Sequence, residues 1–219
     1  MIALRPVSGQ ADATDYIVDP ARSELVVRLF KAGFAAAFAH NHVIRATRYS
    51  GKASFDPGNL STASVRIEVQ ADSLMADEPE IREKYGLTKQ LRVGDREKIQ
   101  STMLSAEQMH VNRYPTMEFR STSIEKRSQK QYIVTGDLTI HGVTRSVTFP
   151  VMVEQDDVSL NGQDPQAREL QGRATVRFRQ SDFGIKPYSA MLGAVRNKDE
   201  VVLYADIVVI PQPGAESGN

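Results

Sequence analysis

Apolar and polar residues alternate strictly along several short stretches of this chain. In "SVRIEVQA", Val65, Ile67, Val69 and Ala71 share one face, and Ser64, Arg66, Glu68 and Gln70 share the other. A period of two marks a half-buried antiparallel strand, because successive side chains leave a strand on opposite sides. "RATVRFRQ" repeats the pattern, with Ala174, Val176 and Phe178 inside and Arg173, Thr175, Arg177 and Arg179 outside. "YIVTGDLTI" aligns Tyr132, Val134, Leu138 and Ile140. "EVVLYADIVVI", which contains Leu203, is apolar on both faces near its ends and is interrupted only by Asp206. "ELVVRLF", "GKASFD", "PTMEFRST" with Phe119, and "SVTFPVMVE" complete a set of about eight strands. Pro150 lies inside the last of these and has no N–H to give a ladder, which predicts an edge or a bulge there.

Two segments break the alternation. "DEPEIREKYGLTKQL" carries helix formers and an Ile81–Tyr85 pair one turn apart. "GDREKIQSTMLSAEQMH" offers Asp95 as an N-cap and then Ile99, Met103 and Ala106 at helical spacing. Both belong to one insertion between strands. Residues 1–15 read as a loose arm, residues 16–210 as one domain and residues 211–219 as a tail. Many alternating strands around one helical insertion predict a closed antiparallel barrel or a sandwich.

Composition narrows the function classes. Lysine plus arginine number 27 and aspartate plus glutamate 27, so the 219-residue chain carries no net charge and no field that would gather nucleic acid. Cysteine is absent, which excludes disulfides, thiolate-ligated zinc and thiol catalysis. No stretch has the length of a membrane-spanning helix, and the first residues lack the basic and apolar regions of a signal peptide. The expectation is a soluble, cytoplasmic protein.

Candidate chemistry is sparse. In "TIHGVTR", His141 precedes Gly142 at the end of a strand. It reads as a corner residue of a tight turn, or as a contact for a ligand head group at a barrel mouth. No neighbour forms a nucleophile–base pair with it. His40 and His42, two apart in a strand, would share a face and could seat one metal, with a third ligand from His141, His110 or Asp56. Head-group or structural hydrogen bonding is the other reading. Asp72 and Asp77 flank a turn and read as caps or loop residues, and no carboxylates form an acid–base pair. Arg173, Arg177 and Arg179 read as a solvated face, or as a basic rim for a phosphate. The connection Ser181–Glu200 holds Phe183, Ile185, Tyr188, Met191 and Leu192, enough apolar surface to cover an entrance or to pack as a flap.

Three pieces carry a resemblance. "YIVDPARSELVVRL" (Tyr16 to Leu29), "YPTMEFRSTSI" (Tyr114 to Ile124) and "VTGDLTIHGVTRSVTFPV" (Val134 to Val151) occur in the order of, and are similar to, elements of the YceI-like family. The match runs roughly from Tyr16 to Val209. The resemblance implies an all-β, antiparallel lipocalin-like β-barrel that holds a long apolar chain, a polyisoprenoid or similar amphiphile, and it allows a homodimer. The insertion from Asp77 to Leu91 and the His-x-His of His40 and His42 depart from the family pattern.

The reading is therefore a carrier of a long-chain lipid, which the family resemblance implies is an isoprenoid, with no catalytic residue, no metal, no cofactor beyond that ligand and no nucleic-acid partner. Val65, Ile67, Val69, Phe119, Leu138, Ile140, Val176, Phe178 and Leu203 would line the barrel, and His40, His42 and His141 its mouth. The rival is a metal-dependent enzyme or metal-binding protein built on His40 and His42.

Overall fold

The computed structural model describes residues 13–34, 40–56, 58–155, 169–190, 192 and 194–212. The arm expected at the N-terminus and the tail fall mostly outside them, as does Met191. Among the described residues, twelve strands form one antiparallel sheet. They are β1 (Thr14–Val18), β2 (Glu24–Ala32), β3 (His42–Ala46), β4 (Tyr49–Phe55), β5 (Ser64–Gln70), β6 (Leu74–Ala76), β7 (Thr116–Lys126), β8 (Gln131–Ile140), β9 (Val143–Gln155), β10 (Leu170–Arg179), β11 (Ser189–Ala190) and β12 (Val195–Pro211). Two helices, α1 (Pro79–Lys84) and α2 (Val93–Leu104), lie between β6 and β7, as the broken alternation predicts. The second starts two residues before Asp95, with Arg92 at its N-cap.

The sheet closes because the long β12 pairs on one side with β10 and on the other with β2 and then β1 (Ile17 opposite Ile210). β1 with β2, β3 with β4, and β5 with β6 act as three broken staves, each in register with the next. With β7, β8, β9, β10 and β12 they make an eight-stranded barrel. Closure leaves no free sheet edge around most of the wall, the usual solution for an antiparallel sheet of this size.

Two places in the wall are not closed by a ladder. β7 begins opposite Gln70, so β6 has no strand beyond it. α2 fills that gap. The Gln100 side chain accepts from the Ala76 N–H (2.7 Å) and donates to the Leu74 carbonyl (2.7 Å), as a neighbouring peptide would. Met103 is buried against Leu74 and Ala76. The second place is between β9 and β10, whose pairing runs only from Gln155–Leu170 to Val151–Ala174. The next residue of β9 is Pro150, which has no N–H to extend it. Above that point Phe183, from the short 3-10 turn Gln180–Phe183, packs edge-on against Phe178. It is fully buried with Ile140 and Ile185 at the same end of the barrel.

Gly136 shows how tightly the wall itself is packed. It faces inward in β8 beside an irregularity in β7 at Ser121–Ser123, and a Cβ there would strike the Phe119 ring and the Arg120 carbonyl. Glycine in a strand interior commonly marks such a close approach. Gly136→Val is expected to cost about 1–3 kcal/mol through overpacking, read as a lower midpoint in urea unfolding with an unchanged slope.

Candidate functional site

The inward side chains enclose a cavity of about 270 Å³. It runs along the barrel from Leu170 to Phe178 on β10, about 26 Å of strand at a rise near 3.3 Å per residue. Every stave contributes. β1 gives Val18, β2 Leu25 and Val27, β3 Ile44, β5 Val65, Ile67 and Val69, and β12 Leu203, Ala205, Ile207 and Val209. The opposite wall is Phe119 of β7, Leu138 and Ile140 of β8, Val147, Phe149, Val151 and Val153 of β9, and Val176 and Phe178 of β10. The alternation of each strand selects these residues: their neighbours, such as Arg66, Arg173 and Arg177, stand outside in solvent-exposed ion pairs. All nine apolar residues named from the sequence as barrel lining border this cavity.

The wall is almost wholly hydrocarbon. Lys52, Ser54, Ser64 and Glu118 border the cavity from outward positions of their strands. Tyr132 is different. It shares the inward row of Val134 and Leu138, is buried, and meets Phe55 edge-on at 5.6 Å. Among the described residues it carries the one inward polar group on the cavity wall. Burial pushes its phenol above the ordinary tyrosine value, so it stays a hydrogen-bond donor at neutral pH. Its place in the period-two row was visible in the sequence, but nothing local distinguished it as the polar member of an apolar wall.

The three histidines do not border the cavity. His141 and Gly142 both have positive φ, 53° and 73°, and form the two-residue turn joining Ile140 to Val143. The His141 ring lies 4.3 Å from that of Tyr114, and a Cβ at Gly142 would collide with the same tyrosine. The corner reading of His141 matches this geometry. His40 precedes β3, so it and His42 do not alternate within one strand. Burial, reinforced by Lys89, His42 and Arg82, holds the His40 imidazole below the ordinary histidine value. Among the described residues, no three histidine, aspartate or glutamate side chains converge as a metal site.

His42 instead belongs to a buried ion cluster centred on Asp77. Asp77 does lie in the loop between β6 and α1, as the sequence reading had it, but its side chain is 0 % exposed, which that reading did not anticipate. One carboxylate oxygen accepts from His42 Nδ1 (2.6 Å) and the other from Arg82 Nη1 (2.6 Å) and the Val43 N–H (3.2 Å). Burial pushes this carboxyl up, but the bonds from His42, Arg82 and Val43 outweigh it and hold it below the usual carboxylate range. An ionised carboxylate only accepts, so Nδ1 of His42 carries the proton between them. Arg82, equally buried, also donates to the carbonyls of Asn41 (3.1 Å) and Lys89 (2.8 Å). The cluster pins the segment after β6 and α1 to the start of β3. Asp72, by contrast, is exposed and pairs with Arg48.

The connection after β10 is shorter than the sequence implied, because β12 starts at Val195. Phe183 and Ile185 are packed into the end of the barrel, whereas Tyr188 and Leu192 face solvent. No helix among the described residues is long and apolar enough to cross a membrane.

Residues 16–209 match the YceI-like domain. A UPF0312 protein of Vibrio cholerae is 27% identical over 193 residues, covering 87% of this chain and 87% of its own. Among solved structures, BcnA of Burkholderia cenocepacia superposes with a TM-score of 0.60 at 19% identity, covering 87% of this chain and 98% of that one. A polyisoprenoid binding domain from Saccharophagus degradans, implicated in plant cell wall breakdown, superposes with a TM-score of 0.55 at 10% identity, covering 90% and 98%.

Proposed function

The chain belongs to the YceI-like domain family, and from that premise we propose that it is a carrier which holds one long apolar chain, an isoprenoid amphiphile, along the axis of its barrel. The observation that carries this reading is the cavity of about 270 Å³ whose one inward polar group among the described residues is Tyr132. That volume lies just below the roughly 300–1,000 Å³ typical of small-molecule pockets. It suits one narrow chain better than a bulky ring system. The similarity to a domain described as polyisoprenoid binding supports the same ligand class.

The energetics need no catalytic machinery. Burying a methylene yields about 0.8 kcal/mol, so a five-carbon isoprene unit yields roughly 4 kcal/mol before ordering costs. A few units suffice for tight binding once the losses of ligand freedom are deducted. The Tyr132 phenol supplies a hydrogen bond for an oxygen-bearing end of the ligand. The protein is accordingly read as a binding protein rather than an enzyme.

Native mass spectrometry of the freshly purified chain, followed by organic extraction, tests the proposal. The expected result is a mass above that of the bare chain and an isoprenoid in the extract. A bare mass, with no isoprenoid taken up on incubation with a medium-length polyprenol, would falsify the carrier reading.

A further inference from the structure

At one end of the barrel two loop tips carry apolar side chains into solvent. Phe34 lies just beyond β2 and is 91% exposed, and Leu192, beyond β11, is fully exposed. Their strands are held side by side. Ala32 of β2 and Ser189 of β11 both pair with Arg196 of β12, from opposite sides. β2 and β11 therefore run in the same direction, about 10 Å apart at a strand spacing near 4.8 Å. Both tips turn through left-handed backbone, Gly33 at φ 96° and Leu192 at φ 55°. Turns of this kind usually take glycine, asparagine or aspartate, and a leucine there is strained as well as exposed.

The sequence leading to and from the tips is basic. The stretches Leu25–His42 and Phe183–Lys198 contain Arg28, Lys31, Lys186, Arg196 and Lys198 and no acidic residue, with Glu24, Asp182, Asp199 and Glu200 just outside them, in a chain whose 27 basic and 27 acidic residues cancel. Lys186, Arg196 and Lys198 are exposed. An exposed apolar tip flanked in sequence by cations is an arrangement by which a protein lies on an anionic lipid surface. The apolar side chains enter the acyl boundary and the basic groups meet the lipid phosphates. It fits a second copy poorly, since a symmetric contact through these tips would set cations against cations.

We infer that the paired tips at Phe34 and Leu192, with Lys31 and Arg196 behind them, form a docking surface for an anionic bilayer. This inference stands on the exposed tips and their charge and does not rest on the carrier reading. Docking is reversible, because only two large side chains enter the bilayer.

The test is co-sedimentation of the full chain with vesicles of phosphatidylcholine alone and of phosphatidylcholine with about one-third phosphatidylglycerol. The expected result is binding to the anionic vesicles, weakened by salt, and little binding to the neutral ones. Phe34→Ser/Leu192→Ser is expected to weaken partitioning at least tenfold. Lys31→Gln/Arg196→Gln is expected to weaken it by a similar factor, near fivefold per cation (about 1 kcal/mol). Phe34 and Leu192 lie beyond the strand ends, Lys31 and Arg196 lie in the last rungs of β2 and β12 at that end of the barrel, and none borders the cavity, so melting temperatures should change little, and the ligand content of each variant is read separately by mass spectrometry. No binding to anionic vesicles at low salt overturns the inference, as does binding that survives the serine variant. Concentration-dependent self-association lost in the serine variant, without vesicle binding, overturns it in favour of a dimer contact.

Discussion

Ile67→Trp is expected to empty the barrel of its ligand while leaving it folded. Ile67 sits in the middle of β5, between Gly51 of β4 and Phe119 of β7, and its side chain borders the cavity. An indole at this position would extend into the cavity. Because the space exists, the usual overpacking cost of about 1–3 kcal/mol should largely be avoided. The ligand, needing the same space, should be displaced. Urea unfolding should thus show a midpoint close to that of the parent, and native mass spectrometry a bare chain. Val147→Phe narrows the cavity from the opposite wall and should act in the same way. A Trp variant that loses 1–3 kcal/mol of stability yet keeps its ligand would place binding somewhere other than this cavity.

The largest stability effect is expected at Asp77. Asp77→Ala leaves the Arg82 guanidinium, 3% exposed, without its carboxylate, and frees His42 and the Val43 N–H as well. Removing one partner of a buried pair typically costs about 3–5 kcal/mol, mostly for the charge left behind. The same cost does not attach to Lys84–Glu24 or Arg177–Glu200, whose exposed partners contribute little. Guanidinium unfolding should therefore show a loss of about 3–5 kcal/mol for Asp77→Ala, and recovery of a large part of it when Arg82→Met is added. The pH dependence has a definite sign. The Asp77 carboxyl titrates below its unfolded value near 3.9, so its contribution is complete above that value and is lost as pH falls through the folded value. Below about pH 4 the parent should lose its stability advantage over Asp77→Ala. A variant as stable as the parent at neutral pH would remove the cluster from any structural role.

The barrel wall was legible in the sequence because one face of each strand is bathed in solvent. Arg66, Arg173 and Arg177 mark the outer face so plainly that Ile67, Val176 and Phe178 could be assigned inward from alternation alone. Closure was less legible, since Ile17 opposite Ile210 is a pairing that no local pattern records. The burial of Asp77, a loop residue as expected, was illegible for the same reason. Its neighbours look like a turn and its φ is positive, but its burial is decided by His42, thirty-five residues earlier, and by Arg82 on the next helix. The spacing argument for His40 and His42 assumed a strand through both, whereas β3 starts at His42. The start of β12 was missed because Arg196, Asn197 and Lys198 read as loop, although Arg196 and Asn197 pair with β2.

A barrel that lacks half a stave ought to invite a foreign strand. β6 offers its backbone to whatever comes beside it, and a neighbouring chain in extended form would fit as well as any part of its own. Gln100 forecloses this. Its amide takes up the Leu74 carbonyl and the Ala76 N–H, and the Leu74 N–H is spent on the Ala71 carbonyl. One side chain, carried on a helix that also buries Met103 there, thus stands where a polymerising edge would otherwise begin.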